Sequence, residues 1–520
     1  MLMDSFVTRP MENIGKQSSV TWLFVAIVAY CIFRLTDSYL DYRRDTASGR
    51  QHGCQPPPSL VKRWPLGIEW LRKIWLFNAE GRLLDFFVSV AKEYEPINNV
   101  SQNLLLGPRA FHVMCPANVE SVLATDFHDY GFGPRREVFD PLLGNGIFTQ
   151  DGAPWKHSRE LLRKQFVRAQ YRNLDNFREH VDNLIAQIPF DTVVDLQPLF
   201  FSFTLDTTTA LLFGTSTYSL RAGVNQETEN KVFADSFSIA QGGLSNRFRI
   251  IPFHKLYRPK WFREACSNVH RFVDKYIEED MSKSNEDENQ NGFIAQVAKE
   301  SATKKDLRDQ LLNVLLAGRD TTACCLSWTF RLLIRNDMVM EKLRKEISSI
   351  MDSSAHPTRE QIKRMPYLSC VIKESLRLYP PVPSNNRTAI RTTRLPTGGG
   401  SDGKSPILVR KGEMVTYGQY VISRLESVFG EDASEFHPER WENGRLADVG
   451  YAYFPFSGGP RQCLGEDFAL MEISYTIVRM LQVFPVMSMP RNDLGSERQK
   501  LTLVLSAEDG CKVFMEKVTQ

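Results

Sequence analysis

The chain has 520 residues, of which 42% are hydrophobic and 24% charged, proportions that exclude a disordered, collagen-like or multi-span membrane protein. Its 64 Lys and Arg against 61 Asp and Glu leave a net charge of +3, and the cations are scattered rather than tiled into a stripe, so nucleic acid is not an expected partner. Nine cysteines without a C-x-x-C pair argue against a disulfide framework or structural zinc, and for a reducing compartment.

In chain order, the first feature is Val20 to Phe33, a run of 14 residues without charge and apolar except for Thr21. A bilayer core needs ~20 such residues, and Ser18, Ser19, Leu35 and the stem of Arg34 extend the run toward that length. Trp22 and Tyr30 suit membrane interfaces. A cleaved signal peptide is the rival reading. Asp4 and Glu12 ahead of the run, and no small-residue cleavage site after Phe33, favour an uncleaved anchor. Arg34, Arg43, Arg44 and Arg50 follow the run against Arg9 and Lys16 before it, which places the bulk of the chain in the cytosol. Residues 1–50 are therefore expected to be a single-pass membrane anchor and 51–520 one catalytic domain, with Pro56, Pro57 and Pro58 stiffening a spacer between them.

Helical periodicity recurs near residues 80–95, 155–185, 228–243, 262–280, 305–335, 338–352 and 466–484. Strand signals cluster in Asn386 to Ile422, and Glu278 to Gly292 reads as a surface connection. The expected fold class is mostly α with a small β region. The triple glycine Gly398–Gly400 has neither a following helix nor a Lys-Ser/Thr pair, so a phosphate-binding loop is not expected.

One cysteine stands apart. Cys463 lies in Phe456-Ser-Gly-Gly-Pro-Arg-Gln-Cys-Leu-Gly465, just ahead of the helix expected from Glu466 to Phe484. Unpaired N–H groups and the positive end of the helix macrodipole there favour a thiolate. Gly459 and Gly465 permit close backbone approach, and Arg461 adds a fixed cation. This F-x-x-G-x-R-x-C-x-G pattern resembles the cysteine-ligand loop of the haem-thiolate monooxygenases, the cytochrome P-450 superfamily, at all five specified residues. The resemblance implies a P-450-type fold after the N-terminal transmembrane helix, haem b as cofactor, and Cys463 as its axial iron ligand. It places Phe456 near the sulfur and Arg461 on a haem propionate. A thiolate ligand pushes electron density onto iron and favours O–O cleavage.

Other segments agree with it. Leu307 to Arg335 reads as one long helix with Ala317-Gly-Arg-Asp-Thr-Thr322 at its middle, where Gly318 allows close approach and Thr321 can bond back to a carbonyl. By the resemblance, Asp320 and Thr321 relay protons during oxygen activation. Glu374 and Arg377 sit on one helical face, and with Arg440 they resemble the superfamily's structural Glu-Arg-Arg triad. Trp155-Lys-His-Ser-Arg159 matches the W-x-x-x-R helix on a haem propionate, and Arg387 occupies another propionate-binding position. Lys156, Arg163, Lys164 and Arg168 leave a basic face on the same helix, suited to an acidic reductase.

Several longer blocks, among them Phe132-Gly-Pro-Arg-Arg136, Pro141 to Phe148, Asp151 to Phe166 and Leu395 to Pro406, look like the fungal alkane- and fatty-acid-hydroxylating branch. That implies an endoplasmic-reticulum membrane enzyme whose catalytic domain faces the cytosol, with NADPH-cytochrome P-450 reductase, O2 and a hydrophobic small-molecule substrate as partners. The branch commonly carries His-Arg where this chain has Ser423-Arg424, a departure that bears on substrate. Leu199-Phe-Phe-Ser-Phe203 and Phe248 to Phe253 are candidates to roof the pocket, with Arg247 or Arg249 at its mouth for a substrate carboxylate. Three other readings stay open. One is a polyketide or terpenoid intermediate as substrate. Another is a redox-neutral isomerase or dehydratase, which the Asp320-Thr321 pair argues against. The third is a membrane-anchored haem-binding or sensing protein, which NADPH consumption with a reductase would separate.

Overall fold

The computed structural model describes residues 12–60, 68–103, 109–170, 174–221, 228–283, 292–491 and 497–517. It is mostly helical, and its strands form short sheets. The helices that shape the interior are α2 (Arg135–Leu143), α3 (Gly152–Gln170), α4 (Leu196–Phe213), α5 (Glu229–Arg249), α6 (Lys304–Leu333), α7 (Pro366–Leu378) and α8 (Glu466–Val483); α1 (Glu12–Gln51) precedes them.

The run Val20 to Phe33 lies inside α1, where Ile32 and Phe33 are exposed. Among the described residues no helix is long and apolar enough to cross a membrane. The far end of α1 is docked on the body rather than held off by a free proline spacer. Asp45 accepts a hydrogen bond from Thr392 (2.9 Å), Thr46 accepts one from Arg410 (2.9 Å), and the Arg410 guanidinium lies 4.2 Å over the Tyr42 ring. The carbonyls of Pro56 and Pro58 accept from the N–H groups of Gly400 (3.1 Å) and Ser101 (2.8 Å). A proline strip has few donors of its own, but its carbonyls still need partners, and the neighbouring strands supply them.

α6 runs for 30 residues and is buried along most of its length. Thr303 caps its start by accepting from the Asp306 N–H. α4 packs along it, capped by Asp195 and closed by Gly214 in the left-handed conformation (φ 69°). α4 is buried on most sides and its polar residues, Asp206 among them, do not gather on one face, so it shows no amphipathic period and sequence periodicity passes over it. Its Thr204 and Thr209 hydroxyls donate back to the carbonyls of Phe200 (2.9 Å) and Leu205 (2.8 Å), which lets them sit buried. Phe200 and Phe203 are fully buried core, not pocket roof. The periodic stretch 155–185 is two helices, α3 and Leu174–Ala186, and the expected surface connection begins beyond the helix Lys260–Lys283, with 284–291 outside the described residues.

The main sheet has the order β1-β2-β7-β4-β3, with β1 Asn99–Asn103, β2 Arg109–Val113, β3 Tyr130–Gly131, β4 Asn385–Ala389 and β7 Met414–Tyr417. Only β2 and β7 are parallel. The glycine-rich segment lies in the hairpin of β5 (Thr393–Gly399) and β6 (Ser405–Val409), not in a phosphate loop.

Glu374, on α7, is fully buried and meets five donors. Arg377 Nε and Nη2 and Arg440 Nε each reach it at 2.8 Å, Trp441 Nε1 at 2.9 Å and the His437 N–H at 3.0 Å. Arg377 also donates to the carbonyls of Ser423 (2.7 Å), Ala433 (2.6 Å) and Glu435 (2.9 Å). Burial pushes the Glu374 carboxyl up, but the two arginines more than offset it and hold it below its ordinary value. The cluster ties α7 to the segment that leads into the cysteine loop. Ser423, the branch departure, is part of this cluster: its hydroxyl donates to the Arg377 carbonyl (2.6 Å) and does not line the cavity described below.

Removing one partner of such a pair leaves a buried charge unmatched, at a cost of about 3–5 kcal/mol. Arg377→Leu should therefore lower the denaturant midpoint steeply, whereas Lys345→Leu, from an exposed pair with Glu341, should leave it nearly unchanged. Equal midpoint shifts in the two variants would contradict this assignment.

Candidate functional site

A cavity of about 280 Å³ lies between α6, α3, β4 and the loop that precedes α8. Ala317, Gly318, Thr321, Thr322 and Cys325 face it from α6, Trp155 and Arg159 from α3, Arg387 from β4, and Phe456, Arg461 and Cys463 from the loop. These residues are far apart in sequence and meet only in the fold. Gly318 is required by packing as much as by the cavity, because a Cβ there would stand 2.7 Å from Thr208 Oγ1 on α4. Gly459 has φ +60° and a Cβ on it would sit 2.0 Å from the Leu123 carbonyl, so the loop turns only with glycine. Gly465 is different: a Cβ there would make ordinary contact with Phe166 at 3.5 Å.

Cys463 opens onto the cavity ahead of the first turn of α8, and its N–H donates to the Phe456 carbonyl (2.9 Å). Surrounding protein pushes its thiol up to about 11, while the Gly465 N–H and Arg159 pull the other way. The helix terminus expected to favour a thiolate is present but outweighed by burial. A metal ion at the sulfur would favour its thiolate form.

One wall of the cavity is cationic. Arg461, Arg135 and Arg387 place their guanidinium carbons 4.0, 4.2 and 4.9 Å from the Phe132 ring centre. Arg461 also lies 4.3 Å from the Trp155 ring and donates to Asp151 (2.6 Å), while Arg159 donates to the Gln462 carbonyl (2.8 Å). Burial, then the charge of Arg387, pulls both Arg135 and Arg461 down to about 9, so both stay protonated at neutral pH. Arg135 Nε, Arg387 Nε and Arg461 Nη1 are buried without a hydrogen-bond partner. Orphaned donors on clustered cations call for an anion. Haem b would bring two carboxylates for these donors and an iron for the open Cys463 sulfur, and the residues present fit it. Arg135 was not singled out from the sequence, where it is one of two adjacent arginines; only the turn at the start of α2 brings it inward.

Thr321 faces the cavity and its hydroxyl donates to the Ala317 carbonyl (2.7 Å), within a helix that stays continuous. Asp320 is buried and does not line the cavity. Arg319 donates to it at 3.1 Å, and burial raises the carboxyl despite that charge. A second buried acid went unnoticed in the sequence: Glu472 on α8, which accepts from Thr207 (2.5 Å) and bonds the Thr322 side chain. Burial pushes it up to about 8. An apolar helix face is the sequence context of a core residue, and only the two threonines from α4 and α6 give it away.

The proposed mouth arginines have other tasks. Arg247 is buried and donates to the carbonyls of Glu137, Val138, His254 and Tyr257 at 2.8–3.0 Å, which fastens α2 to α5. Arg249 donates to the Leu501 carbonyl. Phe248 and Ile251 pack into core, while Ile250 and Phe253 are exposed. On α3, Lys156 and Arg163 are exposed, Lys164 pairs with Glu300 (3.1 Å), and the Arg168 side chain lies outside the described residues.

A family model described as cytochrome P450 matches residues 58–513. A protein of Arthroderma benhamiae named cytochrome P450 is 42% identical over 96% of this chain and 99% of its own length. Cytochrome P450 52A13 of Debaryomyces hansenii is 39% identical over 89% of this chain and 92% of its own. A solved cytochrome P450DA haem domain superposes with a TM-score of 0.76 over 90% of this chain and 98% of that one, at 20% identity, which shows the shared fold.

Glu472 generates a pH test. Its carboxyl titrates near 8 when folded and near ~4.3 when unfolded. Between those values the folded state keeps a proton that the unfolded state has released, so stability falls as pH rises from about 4 to 8. Glu472→Gln removes this slope. Relative to the parent, the variant should gain Tm steadily from about pH 4 to pH 8; a constant difference across that range would contradict a neutral Glu472.

Proposed function

This chain belongs to the cytochrome P450 family and is a monooxygenase, and we propose that it hydroxylates the terminal carbon of a chain-like apolar lipid, a fatty acid or alkane. Haem b, when bound, supplies the iron at which O2 is reduced with two electrons and two protons, one oxygen entering a C–H bond and the other leaving as water. The protein residues do the rest. Cys463, whose sulfur opens onto the cavity, would ligate the iron, which would hold it as the thiolate. Arg135, Arg159, Arg387 and Arg461, with Trp155, line the cavity and would hold the propionates, with Phe456 beside the cysteine loop. Asp320 passes protons to Thr321 Oγ1, which turns from the Ala317 carbonyl to hand them into the cavity. In the structure Asp320 faces away, so delivery needs a rotation of its side chain.

The observation that carries the substrate reading is the division of the cavity lining. The cations gather at the edge that suits propionates, while Ile147, Phe148, Leu211, Val314, Leu376 and Val382 line the cavity with hydrocarbon alone. An extended chain gains ~0.8 kcal/mol for each CH₂ buried there. Primary C–H bonds are the strongest in such a chain, so terminal attack needs a pocket that admits only a methyl end at the iron. The sequence blocks shared with the fungal alkane- and fatty-acid-hydroxylating branch support the same reading.

Lys156 and Arg163 on the exposed face of α3 suit the acidic surface of NADPH-cytochrome P-450 reductase. The apolar run in α1, with its exposed Ile32 and Phe33 and the arginines that follow, supports attachment to the endoplasmic-reticulum membrane with the catalytic body on the cytosolic side.

Co-expression with a reductase tests the proposal. Over a panel of fatty acids, alkanes, polyketides and terpenoids, the expected major product is the terminal alcohol of a linear chain. Predominantly in-chain oxidation, or turnover of the polyketides or terpenoids alone, would overturn it. In the same cells the full chain should sediment with microsomes, and one lacking residues 1–38, which keeps the Asp45 and Thr46 contacts, should shift to the soluble fraction with haem bound.

A further inference from the structure

Arg319 stands between two residues with assigned tasks and has none itself. It is buried, at 7% exposure, in the middle of α6. A charged side chain is rare in such a place unless it is paired. Here it is. Nη1 donates to Asp320 Oδ1 (3.1 Å) and Nη2 to Ser238 Oγ on α5 (3.0 Å). The guanidinium lies 5.3 Å from the Phe201 ring of α4 and 5.5 Å from the Phe237 ring of α5, so two aromatic faces replace the water it has lost. The Thr204 hydroxyl of α4 donates to the Arg319 carbonyl (2.7 Å), which fixes the backbone beneath it.

We propose that Arg319 is the positioning residue for Asp320, fixing its carboxyl against α5 and governing when that carboxyl gives up its proton. The proposal rests on the proton-carrying role of Asp320 stated above. Adjacent residues on a helix point in different directions, and an i,i+1 pair makes contact only when something else bends the two side chains together. The two rings and Ser238 do that. The guanidinium thus converts the position of α5 into the position of an acid on α6. Around the Asp320 carboxyl, α6 contributes the charged Arg319 and the Cys324 thiol and α5 the uncharged Gln241, while Ser238 of α5 and Phe201 and Thr204 of α4, all uncharged, meet Arg319. Arg319 is the charge in this set that can set when the acid ionises. Lysine at the position would keep the charge but lose the planar fork and the ring stacking.

The experiment compares the haem-loaded full chain with Arg319→Gln, Arg319→Lys, Ser238→Ala and Asp320→Asn, each first shown to keep its carbon monoxide complex. The first readout is the carboxyl C=O stretch in an infrared pH titration, with Asp320→Asn as the blank that identifies the band. Loss of a neighbouring cation raises the midpoint of an acid, so Arg319→Gln should move it up by about 1–3 pH units. Arg319→Lys should recover most of that shift, and Ser238→Ala should give a smaller shift of the same sign. The second readout is product formed per NADPH consumed as a function of pH: its alkaline limb should move up with Arg319→Gln by the same interval. An unmoved band in Arg319→Gln overturns the positioning role. Unchanged coupling in Asp320→Asn overturns instead the proton role of Asp320, and the infrared titration tells the two failures apart.

Discussion

Three guanidinium groups share the ring of Phe132, and among the described residues Asp151 is the one carboxylate that meets them. Each buried ion left unmatched costs several kcal/mol. They come from the start of α2, from β4 and from the loop before α8, so the sheet and two distant segments must converge for the cluster to form. The fold therefore concentrates positive charge on the same cavity that the Cys463 sulfur opens onto, and the two carboxylates of haem b would match that charge. The cofactor completes an electrostatic arrangement that the protein leaves open.

The contrast with Glu374 is instructive. There a buried carboxylate and two arginines satisfy one another and the surrounding carbonyls, and nothing faces a cavity. Charge with a structural task is closed on itself, while charge with a ligand to hold keeps free donors. Asp320 and Arg319 fall between these cases: they are paired with each other, with Gln241 beside the carboxyl, yet Arg319 Nε is left without a partner.

Much of this was legible in the sequence. The ten residues around Cys463 carry their chemistry locally, and the order of the Thr321, Glu374 and Arg440 segments supplied the rest. What stayed hidden depends on non-local packing. α4 has no polar face to give a period, and Arg135 looks like its neighbour Arg136 until α2 turns it inward. Glu472 needs Thr207 and Thr322 from other helices before it stands out. Arg247 was misread for the converse reason: an arginine near a presumed mouth suggests a ligand, yet four backbone carbonyls on α2 and the turn after α5 claim it. The proline strip likewise looked like a spacer because its hydrogen bonds run to strands distant in sequence.

The central claim is that free positive charge in the Phe132 cluster selects a dicarboxylate cofactor. The direct test is to titrate the apoprotein with haem b and with its dimethyl ester, which has the same ring and iron but no charge at the propionates. Charge-assisted hydrogen bonds are worth about 1.5–3 kcal/mol each, so the ester should bind at least about tenfold more weakly, and Arg135→Gln should narrow the gap. Equal affinity for the two would contradict the account.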